Sequence, residues 1–176
     1  MRQKSDSALV DAAVNGDSDS FTELCRRYWP AMVAIAHSIL GQTDLAEDAA
    51  QQAFANAVRK LPQLKSKDRF GKWLAAICRN AALELYSKRH KVKIISNLSE
   101  MPVEQSRNDA KEAVRKAIAG LPARAREIIF LRYYDGMTYE KISAVLGISE
   151  QAINGRLRRA KKKIKLYLRL NGFDEV

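Results

Sequence analysis

Apolar residues recur at steps of three and four along most of this sequence, which is the spacing of one face of an α-helix. The clearest stripe comprises Phe21, Leu24, Cys25, Tyr28, Met32, Ile35 and Ile39. Comparable stripes run over 46–61 and 70–85 and return in the C-terminal part of the chain. Hydrophobic residues make up 47% of the composition, so the chain can bury a core. These patterns predict an all-α fold.

Capping residues, glycine and proline divide the first stripes into helices. Ser18 and Asp19 precede the first helix as caps, and Gly41 ends it. Pro30 lies inside this helix and is expected to kink or divide it. The next two helices are predicted over 44–60, closed by Pro62, and over 69–89, with a polar and basic loop between them.

A polar segment over 92–108 interrupts the helical pattern, because it holds Pro102, three serines and two asparagines. We interpret it as a flexible linker. The sequence therefore predicts two small helical domains, over 1–92 and 109–176, joined by a linker over 93–108.

The charge of the chain points to an anionic partner, because the formal net charge is +11. Nucleic acid, a membrane surface or an acidic protein would each fit, and a merely solvated surface is the alternative. The charge is uneven: the net value is −2 over 1–60, +6 over 61–108 and +7 over 109–176. An acidic first third and a basic remainder indicate at least two kinds of partner.

The segment 138–163 has the form of a helix-turn-helix. Thr138 can cap a short helix that ends at Gly147, a residue suited to the left-handed position after a helix. Ile148 can pack between the helices, and Ser149 can cap a second, longer helix. In this motif the first turns of the second helix reach base edges in the major groove.

The candidate contacts to duplex DNA lie on the outer face of this second helix: Glu150, Gln151, Asn154, Gly155, Arg156, Arg158, Arg159 and Lys162. Asn and Gln suit adenine, and Arg suits guanine. Glu150 either accepts from cytosine or simply favours the helix N-terminus. Gly155 either allows close approach to the DNA backbone or is a tolerated weakness, since glycine costs about 1 kcal/mol in a helix.

The same helix carries eight basic residues and no acidic one over 156–169. Ordinary exposed helices mix charge signs, which argues against a merely solvated face. If about five of these side chains meet phosphates, the log–log salt slope of binding is expected near about −4.5.

Catalysis, metal binding and membrane insertion find little support. Cys25 and Cys78 are far apart without metal-ligand spacing, and His37 and His90 are solitary. We find no phosphate-binding glycine loop and no nucleophile–base arrangement, so no enzyme activity, cofactor or metal is predicted. The N-terminus lacks a signal peptide, and the longest apolar run, 31–36, is too short to span a bilayer. A cytoplasmic protein without membrane insertion is expected.

Four further segments resemble the extracytoplasmic-function sigma factors of the sigma-70 family. DLAEDAAQQAF over 44–54 looks like their region 2.2, and RFGKWL over 69–74 is similar to their promoter-melting segment. The pattern over 121–133, followed by MTYEKI over 137–142, looks like their region 4. The resemblance covers about residues 5–170 and preserves the order of the motifs.

The resemblance implies core RNA polymerase and promoter DNA as partners. Region 2 would dock on the beta-prime clamp helices and capture the −10 element as a single strand. Region 4 would dock on the beta flap and read the −35 element as duplex. Such factors are often held by an anti-sigma factor, which we therefore expect as a further partner. The nucleotidyl transfer would belong to the polymerase.

The resemblance also assigns residues. Polymerase binding falls on Asp44, Glu47, Asp48, Gln51 and Gln52, the last standing where the family commonly has Glu. The alternative for the acidic residues is that they stabilise the helix N-terminus, which explains Asp44 but not Gln51. The −10 contacts and melting fall on Lys65, Ser66, Lys67, Arg69, Lys72, Arg79 and Asn80. Phe70 and Trp73 either stack on bases or pack in the core, and their place on the apolar stripe favours the core. Glu84 is expected to hold a neighbouring basic side chain.

Two other readings stay open at this point. A free-standing helix-turn-helix regulator would explain 109–176 but leave 1–92 without a role. An adaptor that binds polymerase, or an anti-sigma-like protein, would leave the basic recognition helix unexplained.

Overall fold

The computed structural model describes residues 4–95 and 109–173, and the regular elements within these ranges are helical, which confirms the all-α prediction. The N-terminal helices are α1 (Asp6–Val14), α2 (Ser18–Leu40), α3 (Thr43–Lys60) and α4 (Phe70–Ile95). The C-terminal helices are α5 (Asp109–Ala119), α6 (Ala123–Ile129), a π-helical turn (Phe130–Tyr134), α7 (Tyr139–Leu146) and α8 (Glu150–Leu170).

Helices α2, α3 and α4 form a three-helix core. The α3 face in this core consists of fully buried alanines, which allow close helix approach: Ala46, Ala49, Ala50, Ala53 and Ala57. Larger side chains fill the remaining space: Leu24, Met32, Ile35, Phe70 and Leu74. The Cys78 thiol donates to the Met32 carbonyl at 3.3 Å, and burial raises its pKa to about 12. Cys78 therefore stays protonated and packs as a small core residue.

Helix α1 was not predicted from the sequence. It is nine residues long and buries only Leu9 and Val10, which leaves almost no periodic signal. Its anchorage is polar, because Asp6 accepts from Arg27 Nη1 at 2.8 Å and from the Tyr28 hydroxyl at 2.5 Å.

Helix α2 runs through Pro30 as one continuous helix of 23 residues, so of the two expected effects of this proline the structure rules out division of the helix. The reason is tertiary: six consecutive residues, 31–36, are buried on both sides of the helix, while Pro30 itself is exposed. The N-cap is Asp17, whose carboxylate accepts from the amides of Asp19 and Ser20 at 3.1 and 3.2 Å. The helix therefore begins at Ser18, and the predicted caps Ser18 and Asp19 both lie in its first turn.

Two more boundaries differ from prediction. Helix α4 extends to Ile95, so the first residues of the predicted linker over 93–108 are helical; the remainder, 96–108, lies outside the described residues. The pair Leu121 and Pro122 predicts a helix start with the proline in the first turn, but Pro122 is the N-cap of α6 and lies just before that turn.

The two domains pack against each other. The Arg79 guanidinium of α4 bonds Glu127 of α6 at 2.5 Å, and Arg126 Nε donates to the Ser38 carbonyl at 3.2 Å. The His37 ring lies 4.9 Å from the Phe130 ring and 5.4 Å from the Tyr134 ring. Most of the buried apolar residues of the two domains therefore belong to one continuous cluster.

Candidate nucleic-acid interface

The helix-turn-helix prediction is confirmed in its local geometry. The Thr138 hydroxyl accepts from the Lys141 amide at 3.3 Å, and the Ser149 hydroxyl accepts from the Ala152 amide at 3.2 Å. Gly147 ends α7 with φ of 65°, the left-handed conformation that glycine adopts without strain. These caps set a short turn between α7 and α8.

Apolar packing fixes the angle at which α8 is presented. Ile142 and Val145 of α7 are buried, as are Ile153 and Leu157 of α8. Leu131, from the π-helical turn, is fully buried in the same core. Helix α8 is therefore held along its inner face, which leaves its opposite face for a ligand.

The predicted duplex contacts lie together on that outer face. Glu150, Gln151, Asn154, Arg158, Arg159 and Lys162 are exposed, while Gly155 and Arg156 are half-buried. Within residues 4–95 and 109–173, no acidic side chain pairs with a basic side chain of α8. Lys161 lies over the Tyr133 ring, 5.2 Å from its centroid. The positive charge of α8 is thus available to an anion.

Replacing Gly155 with alanine is expected to stabilise the free protein by up to about 1 kcal/mol, because glycine is a poor helix former. The protein leaves room for the change: a Cβ at Gly155 would lie 3.6 Å from the nearest atom, Nη1 of Arg159. If DNA approaches Gly155 closely, the same variant will bind promoter duplex more weakly. Urea unfolding and duplex binding measure the two effects, and unchanged binding would assign Gly155 no part in the contact.

The residues predicted to contact the opened −10 DNA strand fall into two groups. Lys65, Ser66 and Arg69 are exposed at the loop between α3 and α4, and Lys67 pairs with Asp11 of α1. Asn80 is exposed on α4. Arg79, by contrast, is half-buried and pairs with Glu127 of the C-terminal domain, while Lys72 is exposed and only its aliphatic stem lies against Gly147.

The two aromatic residues of this segment differ in their surroundings. Phe70 is 0% exposed and packs edge-on against Tyr28, with ring centroids 5.3 Å apart. The core interpretation of Phe70 is therefore confirmed. Trp73 is half-buried beside Phe70, at 5.9 Å between centroids, and so belongs to the edge of the same core.

Two acidic partners of candidate residues were missed from the sequence: Asp11, which pairs with Lys67, and Glu127, which pairs with Arg79. Asp11 sits in the unpredicted helix α1. Glu127 stands beside the apolar residues Ile128 and Ile129, and a charge beside such a stripe was the available signal. Neither pairing follows from spacing, since the partners are 56 and 48 residues apart.

The predicted polymerase face lies on the outer side of α3. Asp44, Glu47, Asp48, Gln51 and Gln52 are all exposed, and Gln52 donates to Asn56 at 3.2 Å. A groove between α3 and α4 with a volume of about 670 Å³ borders this face. On its far wall Glu84 pairs with Lys88 at 2.7 Å, and this contact lowers the pKa of Glu84. The prediction that Glu84 holds a basic side chain is confirmed.

The described ranges hold neither a cluster of metal-ligating residues nor a helix that could span a membrane. No group of three or more His, Cys, Asp or Glu residues there has the arrangement of a metal site. None of the helices in those ranges has the length and hydrophobicity needed to cross a membrane.

Comparisons with known proteins agree with both halves of this arrangement. The family model of Sigma-70 region 2 matches residues 24–92, and that of Sigma-70, region 4 matches residues 111–164. Over 182 residues the chain is 26% identical to the ECF RNA polymerase sigma-E factor of Escherichia coli (strain K12), covering 92% of this chain and 93% of that protein. It is likewise 26% identical to the RNA polymerase sigma-H factor of Pseudomonas aeruginosa, with 93% and 94% covered.

One relative is considerably longer. The probable RNA polymerase sigma factor RfaY of Xanthomonas campestris pv. campestris is 33% identical over 155 residues, but this chain spans only 38% of its length. Among solved structures, CnrH in complex with the cytosolic domain of CnrY is similar with a TM-score of 0.62 and 26% identity, covering 95% of this chain and 99% of CnrH. The chain is thus an RNA polymerase sigma factor of the sigma-70 family, in its extracytoplasmic-function group.

Proposed function

We propose that this sigma factor directs promoter-specific initiation in the cytoplasm by seating two DNA-reading domains on core RNA polymerase, without enzymatic activity of its own. The observation that carries the proposal is the capped helix-turn-helix whose outer α8 face holds basic side chains that form no ion pair with any acidic residue the structure describes. The three-helix domain that precedes it supplies the second contact, to the opened strand.

Helix α8 reads the −35 element as duplex. The exposed side chains of Gln151, Asn154 and Arg158 stand in the first turns of α8, where recognition helices meet base edges. The lysines and arginines further along contact phosphates, which makes binding steeply dependent on salt.

The loop between α3 and α4 captures the −10 element as a single strand. Its exposed Lys65, Ser66 and Arg69 offer cationic and polar contacts next to Asn80 of α4, and a bound strand needs such contacts along its backbone. Melting requires no catalytic group, because capture of flipped bases offsets an unstacking cost of a few kcal/mol.

The exposed face of α3 binds the polymerase, on the beta-prime clamp helices. Asp44, Glu47 and Asp48 give it negative charge, which suits a basic partner surface. The C-terminal domain binds the beta flap.

An anti-sigma factor is the further partner we propose. The similar CnrH structure was solved with the cytosolic domain of a second protein, CnrY. In this chain an apolar groove of about 520 Å³ lies between the domains, lined by Leu40, Leu83 and Phe130 among others, and Leu83 is 51% exposed. An apolar helix of a partner would cover such a surface.

In vitro transcription with core RNA polymerase tests the proposal. We expect the full chain to be retained by core polymerase in a pull-down and to confer initiation at discrete sites on a genomic template library. Reversing charge with Glu47→Lys and Asp48→Lys is expected to reduce retention. Tight, specific duplex binding without polymerase, and no retention by it, would instead identify a free-standing helix-turn-helix regulator.

A further inference from the structure

We propose that helix α1 positions the loop between α3 and α4 for strand capture, and that Asp11 is the residue of α1 that holds Lys67 in place for the DNA strand. The proposal rests on the strand-capture function proposed above for this loop. It adds a positioning residue outside the loop, on a helix that carries no candidate DNA contact.

Helix α1 contacts the loop directly. It lies against both short 3-10 helical turns of the loop, Leu61–Gln63 and Lys67–Arg69. The Asp11 carboxylate accepts a hydrogen bond from the Lys67 ammonium, 56 residues further along the chain. Among the residues the structure describes, the two other basic side chains of 65–69 have no acidic partner. Helix α1 therefore selects Lys67 from the cations of the loop.

The pair of Asp11 and Lys67 is accessible to a DNA strand. Of the Lys67 side chain 40% is exposed, and of the Asp11 side chain 51%. A lysine ammonium has three N–H donors, so one bond to a carboxylate does not exhaust its capacity for hydrogen bonds. Lys67 can consequently bind a phosphate while Asp11 still holds it.

Helix α1 is itself fixed by polar contacts, which gives Asp11 a defined position. Asp6 accepts from Arg27 Nη1 at 2.8 Å and from the Tyr28 hydroxyl at 2.5 Å. The Tyr28 ring lies so close to the first turn of α4 that a Cβ at Gly71 would be 2.7 Å from Cε1 of Tyr28. Tyr28 thus connects α1 to the helix after the loop, and Asp11 connects α1 to the loop itself.

Stability does not account for the pair of Asp11 and Lys67. An ion pair this exposed contributes little to folding, because water screens both charges. Its effect falls instead on conformational freedom, since a free lysine samples many rotamers and a lysine held by a carboxylate samples fewer. A side chain that is ordered before binding loses less entropy when the strand arrives, which strengthens binding.

Asp11→Asn tests the proposal, because positioning and simple charge predict opposite signs. If Asp11 only neutralised Lys67, removing its charge would tighten strand binding. If Asp11 positions Lys67, the change should weaken binding of fluorescein-labelled oligodeoxythymidine to the full chain by about threefold to tenfold, because the released lysine loses its rotamer freedom on binding. Fluorescence anisotropy in about 0.15 M salt measures the affinity while screening distant charges. Tighter or unchanged binding would overturn the proposal.

Asp19→Asn is the matched control. Asp19 is exposed in the first turn of α2 and forms no ion pair with the residues that the structure describes, so this change removes the same charge from the same domain. It should leave strand binding unchanged, and an equal loss in both variants would contradict a specific role of Asp11. Asp11→Glu keeps a carboxylate and should restore most of the affinity. Urea unfolding should show wild-type stability for all three variants, which separates positioning from loss of folding.

A double-mutant cycle connects the effect to Lys67 and separates it from the basic face of α8. In a Lys67→Ala background, Asp11→Asn should no longer weaken strand binding, because the side chain that Asp11 holds is absent. An equal loss in the two backgrounds would show that Asp11 acts through another residue and would overturn the proposal.

Failure of this inference is distinguishable from failure of the proposed function, because strand binding by the free chain is measured without polymerase. A wild type that directs initiation while Asp11→Asn binds the strand as tightly would overturn positioning by α1 alone. A wild type that never binds core polymerase, while Asp11→Asn loses strand affinity, would overturn the proposed function and leave the role of Asp11 standing. A wild type without affinity for oligodeoxythymidine would overturn both strand capture by the loop and its positioning by α1.

Discussion

Replacing Arg158 and Arg159 together with alanine is expected to lower promoter-specific transcription by roughly thirtyfold to more than a thousandfold. Both side chains are exposed on the outer face of α8 and have no acidic partner among the residues the structure describes. A good bidentate contact to a base contributes about 1–3 kcal/mol, and each 1.4 kcal/mol is about tenfold in an equilibrium constant. In vitro transcription from a mapped promoter measures the loss.

The matched control is Lys111→Ala with Lys116→Ala. These two exposed lysines belong to the same domain, on α5, so the control removes the same charge away from α8. We expect the control to retain most activity and both variants to retain binding to core polymerase. Equal losses in the two variants would show that overall charge, not the recognition helix, selects the promoter.

Phe70→Ala is expected to lower the free energy of unfolding by about 3–5 kcal/mol, the usual cost of truncating a buried phenylalanine. That is a large share of the roughly 5–15 kcal/mol that stabilises a typical domain. Phe70 is completely buried, and its ring contacts both Tyr28 and Trp73. Urea unfolding followed by circular dichroism measures the change.

Tyr133→Ala provides the comparison for Phe70, since Tyr133 is an aromatic residue that is 55% exposed. Its effect on stability is expected to be within about 0.5 kcal/mol, as for most surface substitutions. A Phe70→Ala protein that kept wild-type stability but failed to capture the −10 strand would show that this ring stacks on bases.

Local signals were sufficient for most helices and for the helix-turn-helix. The stripe from Phe21 to Ile39 follows one helix face, and Gly147 and Ser149 take their positions through backbone preferences of single residues. Such preferences act within one or two helical turns, so they can be predicted from residues that are close together in the sequence.

Prediction failed where distant parts of the chain decide the outcome. Helix α1 is held by Asp6 contacts to Arg27 and Tyr28, more than twenty residues away. The continuity of α2 through Pro30 depends on burial of the residues after it. Intrinsic helix propensity predicts neither effect, because tertiary packing overrides the preferences of single residues.

The candidate contacts to the −10 DNA strand show the same difference between what local sequence predicts and what packing decides. Their residue types and positions were read from the sequence, and Lys65, Ser66 and Arg69 are exposed as a strand-binding loop requires. The contacts of Lys72 and Arg79 with the other domain follow from no local pattern. Only the folded chain shows which cations are exposed and which are covered.

Helical period, caps and charge act over a few residues, so the amino-acid sequence was enough to predict the helical class, the two sigma-factor regions and the recognition helix. The tertiary structure decided how the domains meet and which charges they neutralise. The pairing of Arg79 with Glu127 joins residues 48 positions apart, and such a contact depends on how whole helices pack.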